Sequence, residues 1–583
     1  MPRAWTPKTL NWNIPPADES AEQLARQIRT SRVVAQALVN RGISDADAAR
    51  GFLSPKLNDL HDPEQLPGCV KAAKRIARAV EQNEKIVIYG DYDVDGMTSV
   101  AILHACLKMV DGDVSFYVPH RLDEGYGVND EAVDKLIAEG MDLMVTVDCG
   151  VTAVQPVRKT VEKGVDVIIT DHHAVGQALP PAEAIVHPDL PGELYPNPHM
   201  CGAGVAFKVA WQVAREVCGT KRVDDRMKEF LLNATCLAAL GTIADVVPLV
   251  GENRSLAVFG LRGLPQAKHD GLQALLASAN LVGETLDAFH VGFRLAPRLN
   301  ACGRMGHAQL AVELLTDAPA EKAAKIAGYL SQQNTERQKV EREITARAIE
   351  LVEERGLDGD DARVIVLAEQ GWHAGVVGIC ASRLVDRFGK PAVIIAINGD
   401  GTGQGSARSV EGFHMRDALQ ACGEHLLSFG GHAMAGGLRV AVQSVEAFTK
   451  AMEAHARQHV SDEQIAPSID VDVETNLEEL SYVVVEHLSR FQPCGQGNPH
   501  PRVAMRGLEI IAPPRRIGRS GKTATMVLGQ AGQRMRAVGF GMGDLADRLV
   551  GIKKVDVVAE PVLNTFRGRT NAELQLIDVR WDG

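Results

Sequence analysis

Three aspartates, Asp91, Asp93 and Asp95, are crowded into one short segment of the chain. They follow an apolar, β-branched run that begins at Ile86 and is typical of a buried parallel strand. Open α/β sheets bind their ligands at the carboxyl ends of such strands. Carboxylates packed this closely repel one another unless a cation offsets their charge, and their hard oxygen atoms favour Mg²⁺ or Mn²⁺. The motif therefore predicts a metal site, with a solvated acidic turn as the alternative.

Three further apolar runs are followed by residues that can bind a metal. These runs span residues 141–147, 165–170 and 237–244, and the groups after them are Asp148, the tripeptide Asp171–His172–His173, and Asp245. A single aspartate in such a position is more often a turn residue or a helix N-cap. Several of them in series favour a metal-assisted site where an α/β sheet reverses its strand order.

The segments Asp91-Tyr-Asp-Val-Asp-Gly96 and Asp171-His-His173 resemble the signature motifs of the DHH phosphoesterase superfamily. Within it, the chain is most similar to the RecJ family of bacterial exonucleases. Segments 371–378, 405–409 and 429–437 are similar to the accessory domain of these enzymes, so the resemblance covers nearly the whole chain. It implies a single-stranded-DNA-specific exonuclease that hydrolyses phosphodiester bonds from the 5′ end (5′→3′) by a two-metal mechanism. Such an enzyme releases 5′-mononucleotides in DNA repair and recombination.

Other functions share part of this pattern. A short-oligonucleotide or cyclic-dinucleotide phosphodiesterase and an inorganic pyrophosphatase would carry the same metal motifs. Those enzymes need only two α/β domains, whereas this chain continues into a basic, β-rich region at 463–583. A non-catalytic DNA-binding scaffold is the alternative from a different class, and the full set of acidic ligands argues against it.

The resemblance also implies a role for each residue of the metal site. Five residues are expected to bind two divalent ions, Mn²⁺ or Mg²⁺: Asp93, Asp95, Asp148, His172 and Asp245. Asp148 would bridge the two ions, and the imidazole ligand favours Mn²⁺. Two further residues are expected to be catalytic, Asp91 as a weaker or second-layer ligand and His173 as a contact to the scissile phosphate. A histidine of the core is the alternative for His173.

Seven residues are expected, again by resemblance, to bind the DNA: Arg121, Arg298, Asn300, Arg304, Ser406, Arg408 and His432. Arg121 is a candidate contact for the 5′ end, and Arg298, Asn300 and Arg304 are expected to form a basic loop within residues 294–307. The last three residues lie in glycine-rich segments, where backbone amides can approach phosphates closely. Tight turns are the alternative explanation of these glycines.

The order of elements predicts an α/β fold class, in which two parallel-sheet domains are joined by a long helix and followed by an OB-type β-barrel. The expected regions are a lead-in segment at 1–60, a DHH catalytic domain at 61–317, a connecting helix at 318–356, a DHH-associated second domain at 357–462 and an OB-fold domain at 463–583. Alternating strands and helices in the catalytic domain indicate a parallel sheet. The helix is apolar at both ends and polar in its middle, which favours a bridge between domains over a coiled coil.

The C-terminal region combines short β-rich segments with clustered basic residues. Its segments at 502–511, 524–528, 534–540, 554–559 and 573–579 predict a barrel that binds single strands along a positive groove. The basic residues are Arg515, Arg516, Arg519, Lys522, Arg534, Arg536, Lys553, Lys554, Arg567 and Arg569. A solvated face is the alternative for this cluster. Aromatic residues are sparse here, so electrostatic attraction would carry most of the binding.

The length, charge and cysteine content of the chain exclude several other classes of protein. The chain has 583 residues, which indicates several domains, and a net charge of −12, which excludes a generally basic surface but not a local basic groove. Its ten cysteines form no Cys-x-x-Cys pair, so neither a zinc site nor a disulfide framework is indicated. No long apolar run occurs, so we expect a cytoplasmic protein. The expected partner is single-stranded DNA. The family resemblance also implies a single-strand-binding protein and a helicase as partners, and we expect the protein to be a monomer.

Overall fold

The computed structural model describes residues 10–120, 124, 127–304, 308–359, 361–460, 468–566 and 568–581, and only the backbone of Arg304. Its contacts divide the chain into two units. Unit A comprises Asp45–Asn334 and Arg490–His500, and unit B comprises the described residues among 10–44, 335–489 and 501–581. The first elements of unit B are β1 (Asn11–Asn13), α1 (Glu19–Ile28) and α2 (Arg32–Val39).

Unit A is built on a five-stranded parallel sheet. Its strands, in the spatial order β3-β2-β4-β5-β6, are β2 (Ile86–Gly90), β3 (Val114–Tyr117), β4 (Leu143–Val147), β5 (Asp166–Thr170) and β6 (Ala184–Val186). The central strands are almost wholly buried, as continuous apolar runs in a parallel sheet should be. Gly90 pairs with Val147, and Val147 pairs with Thr170. The residues that follow these three strands therefore leave the sheet at one edge.

Helices cover this sheet and form most of the core of unit A. They are α3 (Ala46–Leu53), α4 (Cys69–Glu81), α5 (Val94–Met109), α6 (Asp130–Ala138), α7 (Val154–Glu162), α8 (Gly202–Cys218), α9 (Asp225–Ala244), α10 (Gly251–Gly263), α11 (Asp270–Ser278), α12 (Ala288–His290), a π-helix (Val291–Leu295), α13 (Ala296–Arg304) and α14 (Ala308–Leu315). α5 is buried along nearly its whole length and packs with α8 and α9. Because every face of this helix meets protein, its buried residues are mostly apolar, and the polar ones are Asp95, Thr98, Ser99 and His104.

A helix of 35 residues, α15 (Ala320–Glu354), follows, as the pattern over 318–356 predicts. It contributes its first residues to unit A and those from Thr335 onward to unit B. In unit B, β7 (Ile365–Gln370), α16 (Val377–Phe388), β8 (Ala392–Ile397), β9 (Thr402–Arg408), α17 (Met415–Ala421), β10 (Ser428–Gly431), β11 (Ala435–Ala441) and α18 (Val445–His459) form a second α/β domain. Its strands lie in the order β10-β11-β9-β8-β7.

The last region forms a closed five-stranded barrel. Its elements are β12 (Ser468–Asp470), β13 (Val473–Glu474), α19 (Tyr482–Ser489), β14 (Val503–Ile517), β15 (Thr523–Gln530), β16 (Gln533–Phe540), α20 (Leu545–Arg548), β17 (Lys554–Phe566) and β18 (Arg569–Arg580). The order β14-β15-β16-β18-β17 closes on itself through a β14–β17 pair. The N-terminal strand β1 pairs in parallel with β12, and the indole of Trp12 donates to Asp578 at 2.7 Å.

The predicted fold class is confirmed: two α/β sheets, a long helix and an OB-type barrel are present. In one respect the second sheet differs from the expectation, because only β7 and β8 are parallel and the other pairs are antiparallel. A helix connects β7 to β8, whereas short turns connect β8 to β9 and β10 to β11, and short turns join only antiparallel strands. Within the described part of the chain, no helix combines the length and apolar character needed to span a bilayer.

Candidate metal centre

All five predicted metal ligands and both predicted catalytic residues lie together at the carboxyl edge of the unit A sheet. Asp91 to Asp95 connect β2 to α5, Asp148 follows β4, His172 and His173 follow β5, and Asp245 ends α9. Three groups each hold their ligand atoms within 4.8 Å of one another: Asp91, Asp93 and Asp148; Asp148, His172 and His173; and Asp95, His172 and Asp245. Asp148 and His172 each belong to two of these groups, so the groups form one continuous cluster.

His172 lies at the centre of the cluster. Its Nε2 atom is 3.0 Å from Asp148 Oδ1 and 3.7 Å from both Asp95 Oδ2 and Asp245 Oδ2. Burial, and then the neighbouring His173, lower the pKa of His172 to about 3. Its ring is therefore neutral at physiological pH, which is the form that binds a metal.

The amino end of α8 holds Asp95. Both carboxylate oxygens accept hydrogen bonds from this helix, Oδ2 from the Gly202 amide at 2.6 Å and Oδ1 from the Ala203 amide at 2.8 Å. Helix N-termini stabilise negative charge in this way. A Cβ atom on Gly202 would lie 2.8 Å from the Cβ and Oδ1 atoms of Asp148, so the helix can approach the cluster only with glycine at this position.

The other aspartates are also fixed by local backbone geometry. Asp93 caps α5, because its Oδ1 atom accepts hydrogen bonds from the amides of Asp95 and Gly96. Asp148 adopts a left-handed conformation with φ of +60°, which is uncommon outside glycine and is often found at functional sites. Its amide donates to the Thr170 carbonyl at 2.9 Å, which ties it to the adjacent strand. Asp93 is therefore both a helix N-cap, as expected for an isolated aspartate, and a member of the cluster.

Asp171 and His173 form a hydrogen-bonded ion pair beside the cluster. The His173 Nδ1 atom is 2.8 Å from Asp171 Oδ1, which also accepts hydrogen bonds from the amides of His172 and His173. Burial alone would lower the pKa of His173, but the hydrogen bond and charge of Asp171 raise it to about 9. Burial opposes ionisation of Asp171, yet the same pairing lowers its pKa to about 2. His173 is therefore a cation at neutral pH.

The remaining carboxylates destabilise one another. Burial, followed by the charges of Asp95 and Asp93, raises the pKa of Asp245 to about 9. Burial and Asp93 raise the pKa of Asp95 to about 6, even though the α8 amides oppose this shift. Burial and four neighbouring aspartates raise the pKa of Asp148 well above its ordinary value. Divalent cations would relieve this repulsion.

The donor set fits divalent ions. The His172 Nε2 atom is buried and makes no hydrogen bond to any described residue, although it points among three carboxylates. Such an atom in a native protein calls for a partner. Oxygen ligands with one or two imidazoles and no cysteine suit Mn²⁺ or Mg²⁺ better than zinc.

The predicted DNA-binding residues of unit A have mixed surroundings, and the expectation of a basic loop at 298–304 is wrong, because these residues belong to α13. The Asn300 side chain accepts a hydrogen bond from the Val94 amide at 3.2 Å, which places it at the first turn of α5 beside the metal cluster. Arg298 instead donates to Ser331 Oγ at 2.9 Å and to the Arg294 carbonyl, so its guanidinium is held by neighbouring helices. Arg121 lies outside the described residues, as does the side chain of Arg304.

The other predicted DNA contacts cluster within unit B. Arg408 donates to Ser406 Oγ at 2.9 Å, and both lie on β9. A Cβ atom on Gly378 would lie 2.8 Å from Ser406 Oγ and 3.1 Å from the Arg408 guanidinium, so glycine is required for their close approach to α16. His432 lies in the turn between β10 and β11, and β11 pairs directly with β9.

Sequence reasoning misses two features of the metal centre. It includes Asp171 among the groups that can bind a metal, but it does not predict that Asp171 pairs with His173 and holds it as a cation. The α8 amides that bind Asp95 carry no sequence signal, because only the Cys201-Gly202-Ala203-Gly204 backbone is involved and helix placement decides which carboxylate it meets.

Comparison with known proteins agrees with this architecture. The family models for the DHH family N-terminal domain, the DHHA1 domain and the RecJ OB domain match residues 85–239, 361–458 and 471–578. The single-stranded-DNA-specific exonuclease RecJ of Bacillus subtilis is 38% identical over 572 residues, which cover 98% of this chain and 70% of that protein.

Two crystal structures of RecJ from Thermus thermophilus are similar to the whole fold. The complex with Mn²⁺ has a TM-score of 0.81 at 30% identity and covers 99% of this chain and 80% of that chain. The complex with Mg²⁺ has a TM-score of 0.75 at 29% identity, with coverage of 98% and 79%. The chain belongs to the RecJ family of single-stranded-DNA-specific exonucleases.

Proposed function

We propose that this protein is a metal-dependent exonuclease that hydrolyses single-stranded DNA from its 5′ end, in the 5′→3′ direction, and releases 5′-mononucleotides in DNA repair and recombination. The observation that carries the proposal is the convergence of the Asp and His side chains at the carboxyl edge of the unit A sheet. Relatives with this function match nearly the whole chain, and Thermus RecJ binds Mn²⁺ and Mg²⁺.

The proposed roles of the metal ligands are those that the family resemblance implies. Asp93 would hold one ion, Asp95, His172 and Asp245 would hold the other, and Asp148 would bridge the two. The grouping of these five residues in one cluster supports the assignment. Asp91 is a weaker or second-layer ligand. Bound Mn²⁺ or Mg²⁺ ions supply the charge that lowers the pKa of an attacking water and stabilises the charge developing on the phosphate.

Protein side chains do the remaining work at the scissile phosphate. His173 is kept cationic by Asp171. Its ring donates a hydrogen bond to a phosphate oxygen, and its positive charge attracts the phosphate. Asn300 and Arg304, with Arg298, contact the strand beside the metals in unit A. Ser406, Arg408 and His432 bind backbone phosphates in unit B, and Arg121 contacts the 5′ end.

We further propose that the protein acts as a monomer in the cytoplasm and receives its substrate with the help of a single-strand-binding protein and a helicase. The barrel supports capture of long strands, because nine of the ten basic residues named for it lie in the described part of the chain and are exposed, and only Arg516 and Arg536 among these nine pair with described carboxylates.

The test is hydrolysis of DNA labelled at either end. Single-stranded DNA should lose label from the 5′ end as mononucleotides when Mn²⁺ is supplied, whereas blunt duplex, RNA and pyrophosphate should be poor substrates. Preference for dinucleotides over long strands would instead identify a short-oligonucleotide phosphodiesterase. Equal release of 3′ and 5′ label would contradict the proposed direction.

A further inference from the structure

The segment Arg490–His500 lies between two elements of the barrel region, α19 and β14, yet it belongs to unit A. Its sequence, Arg-Phe-Gln-Pro-Cys-Gly-Gln-Gly-Asn-Pro-His, carries no group expected to take part in hydrolysis. We name it the docking segment. Its contacts show what it does in unit A.

Arg254, on the first turn of α10, holds the docking segment by its backbone. Its guanidinium donates to the carbonyls of Arg490, Phe491 and Gln492 at 2.7–2.9 Å and to that of Pro493 at 3.3 Å. A further hydrogen bond joins Nε to the Phe52 carbonyl at 3.0 Å, and the guanidinium lies 4.1 Å from the centre of the Phe52 ring. Arg254 is only 2% exposed, so these bonds replace its entire hydration. Only a planar five-donor fork can make this set of contacts.

The docking segment in turn contacts the loop that carries Asp245. The Leu249 amide donates to the Gln496 carbonyl at 2.8 Å. A Cβ atom on Gly495 would lie 2.8 Å from the Leu249 side chain, and one on Gly497 would lie 3.0 Å from Pro248 Cβ. A larger residue at either position would therefore press on Leu249 or Pro248.

The Asp245 loop needs such support. Asp245 ends α9, and Val246 after it has φ of +61°, a strained conformation for a β-branched residue. At the far end of the loop, Asn253 donates to the carbonyls of Pro248 and His199. The Asp245 Oδ2 atom lies 3.7 Å from His172 Nε2, in the ligand group that it shares with Asp95, so a shift of its backbone would change the spacing of this group.

We propose that Arg254 and the docking segment form a positioning element for the metal ligand Asp245. The element acts through the backbone of residues 246–250 and touches neither metal nor DNA. It rests on the proposed metal site, and it makes part of the barrel region a component of the metal-binding unit. Partners behind a metal ligand typically change metal affinity by about 10- to 100-fold when removed.

The test is titration of the full-length protein with Mn²⁺, followed by electron paramagnetic resonance, in two matched pairs of variants. Arg254→Ala should weaken Mn²⁺ binding at least about tenfold, and Arg254→Lys should recover only part of the loss. Its control is Arg75→Ala, which removes another buried arginine, one paired with Glu84 and Asp166 at the opposite edge of the sheet. That variant should lose stability but keep the Mn²⁺ affinity of the folded protein.

The second pair leaves every side-chain hydrogen bond in place. Gly497→Ala strains a residue with φ of +67° and presses on Pro248, whereas Gly507→Ala strains a residue with φ of +64° and meets nothing within 4 Å. Weaker Mn²⁺ binding in Gly497→Ala but not in Gly507→Ala supports the proposal. If Arg254→Ala does not fold, the comparison of these two glycine variants is the test. Wild-type affinity in both Arg254→Ala and Gly497→Ala overturns it. Failure of the wild-type protein to degrade DNA while these differences persist would count against the proposed function and not against the positioning element.

Discussion

The charged side chains of the metal cluster are buried and fixed in place, whereas those on the basic surface of the barrel are exposed to solvent. In the cluster, Asp95 and Asp148 are almost completely buried and held by backbone amides or strand pairing. On the barrel, Arg515, Arg519 and Lys522 are exposed side chains near a β-hairpin turn. Buried charges at short range act strongly but tolerate no displacement, whereas exposed charges act weakly and additively. Substitutions in the cluster should therefore cause large losses of metal binding and activity, whereas substitutions on the barrel should weaken DNA binding in small, additive steps.

The largest expected effect is that of Asp148→Ala. Losing the proposed bridging carboxylate should disassemble both ion sites and lower kcat by at least about 10³-fold, since bound ions supply several kcal/mol of transition-state stabilisation. Binding of single-stranded DNA, measured by fluorescence anisotropy, should largely survive. Near-normal hydrolysis in excess Mn²⁺ would show that Asp148 is not the bridge.

A smaller but still severe effect is expected from Gly202→Ala, which adds a single methyl group. Its Cβ atom would lie 2.8 Å from Asp148 Oδ1 and should displace that carboxylate, with about a 10- to 100-fold loss of Mn²⁺ affinity. Gly328→Ala is the control, because its Cβ atom would meet nothing within 4 Å in α15. Equal behaviour of the two variants would mean that the cluster tolerates displacement.

Mn²⁺ affinity should rise with pH. Because the pKa values of Asp245 and Asp95 are raised to about 9 and about 6, an ion must displace protons from the metal-free site below these values. Each displaced proton makes affinity about tenfold higher per pH unit. Titrations at pH 6, 7 and 8 with measurement of released protons test this, and constant affinity would contradict it.

The same shifts predict how the metal-free protein responds to pH. A carboxyl whose folded pKa lies above its ordinary value of 3.8 favours folding fully only below that value, and the contribution is lost as the pH rises through the folded pKa. The metal-free protein should therefore lose stability between about pH 4 and pH 9 relative to the Mn²⁺-bound protein. Thermal unfolding with and without Mn²⁺ across this range measures the difference.

The smallest effect is expected on the barrel. Replacing Arg515, Arg519 and Lys522 by alanine should raise KM for long single strands several-fold with little change in kcat. The slope of log K against log salt should fall by about 0.7 for each phosphate that the variant no longer neutralises. Arg516→Ala is the matched control, because this arginine is already paired with Asp544 and Asp547. An unchanged salt slope in the triple variant would mean that these residues form only a solvated face.

The sequence predicted the elements that depend on local pattern. Buried β-branched runs located β2, β4 and β5, and the motifs after them located the clustered Asp and His side chains, because parallel strands of one sheet end at one edge. The mixed second sheet could not be read from apolar runs, because only β7 and β8 are apolar, whereas β9, β10 and β11 are rich in glycine, a pattern interpreted as that of phosphate-binding segments. The pairing of β1 with β12, and the docking of residues 490–500 in unit A, join parts of the chain far apart in sequence and leave no periodic signal.

The most direct test of the account is the number of Mn²⁺ ions bound by the full-length protein and their magnetic coupling, measured by low-temperature electron paramagnetic resonance. A two-metal cluster bridged by Asp148 predicts a pair of ions about 3.5–4 Å apart, whose spins couple in the wild-type protein and uncouple in Asp148→Asn. A single uncoupled ion in the wild-type protein, or an intact coupled pair in the variant, would contradict it.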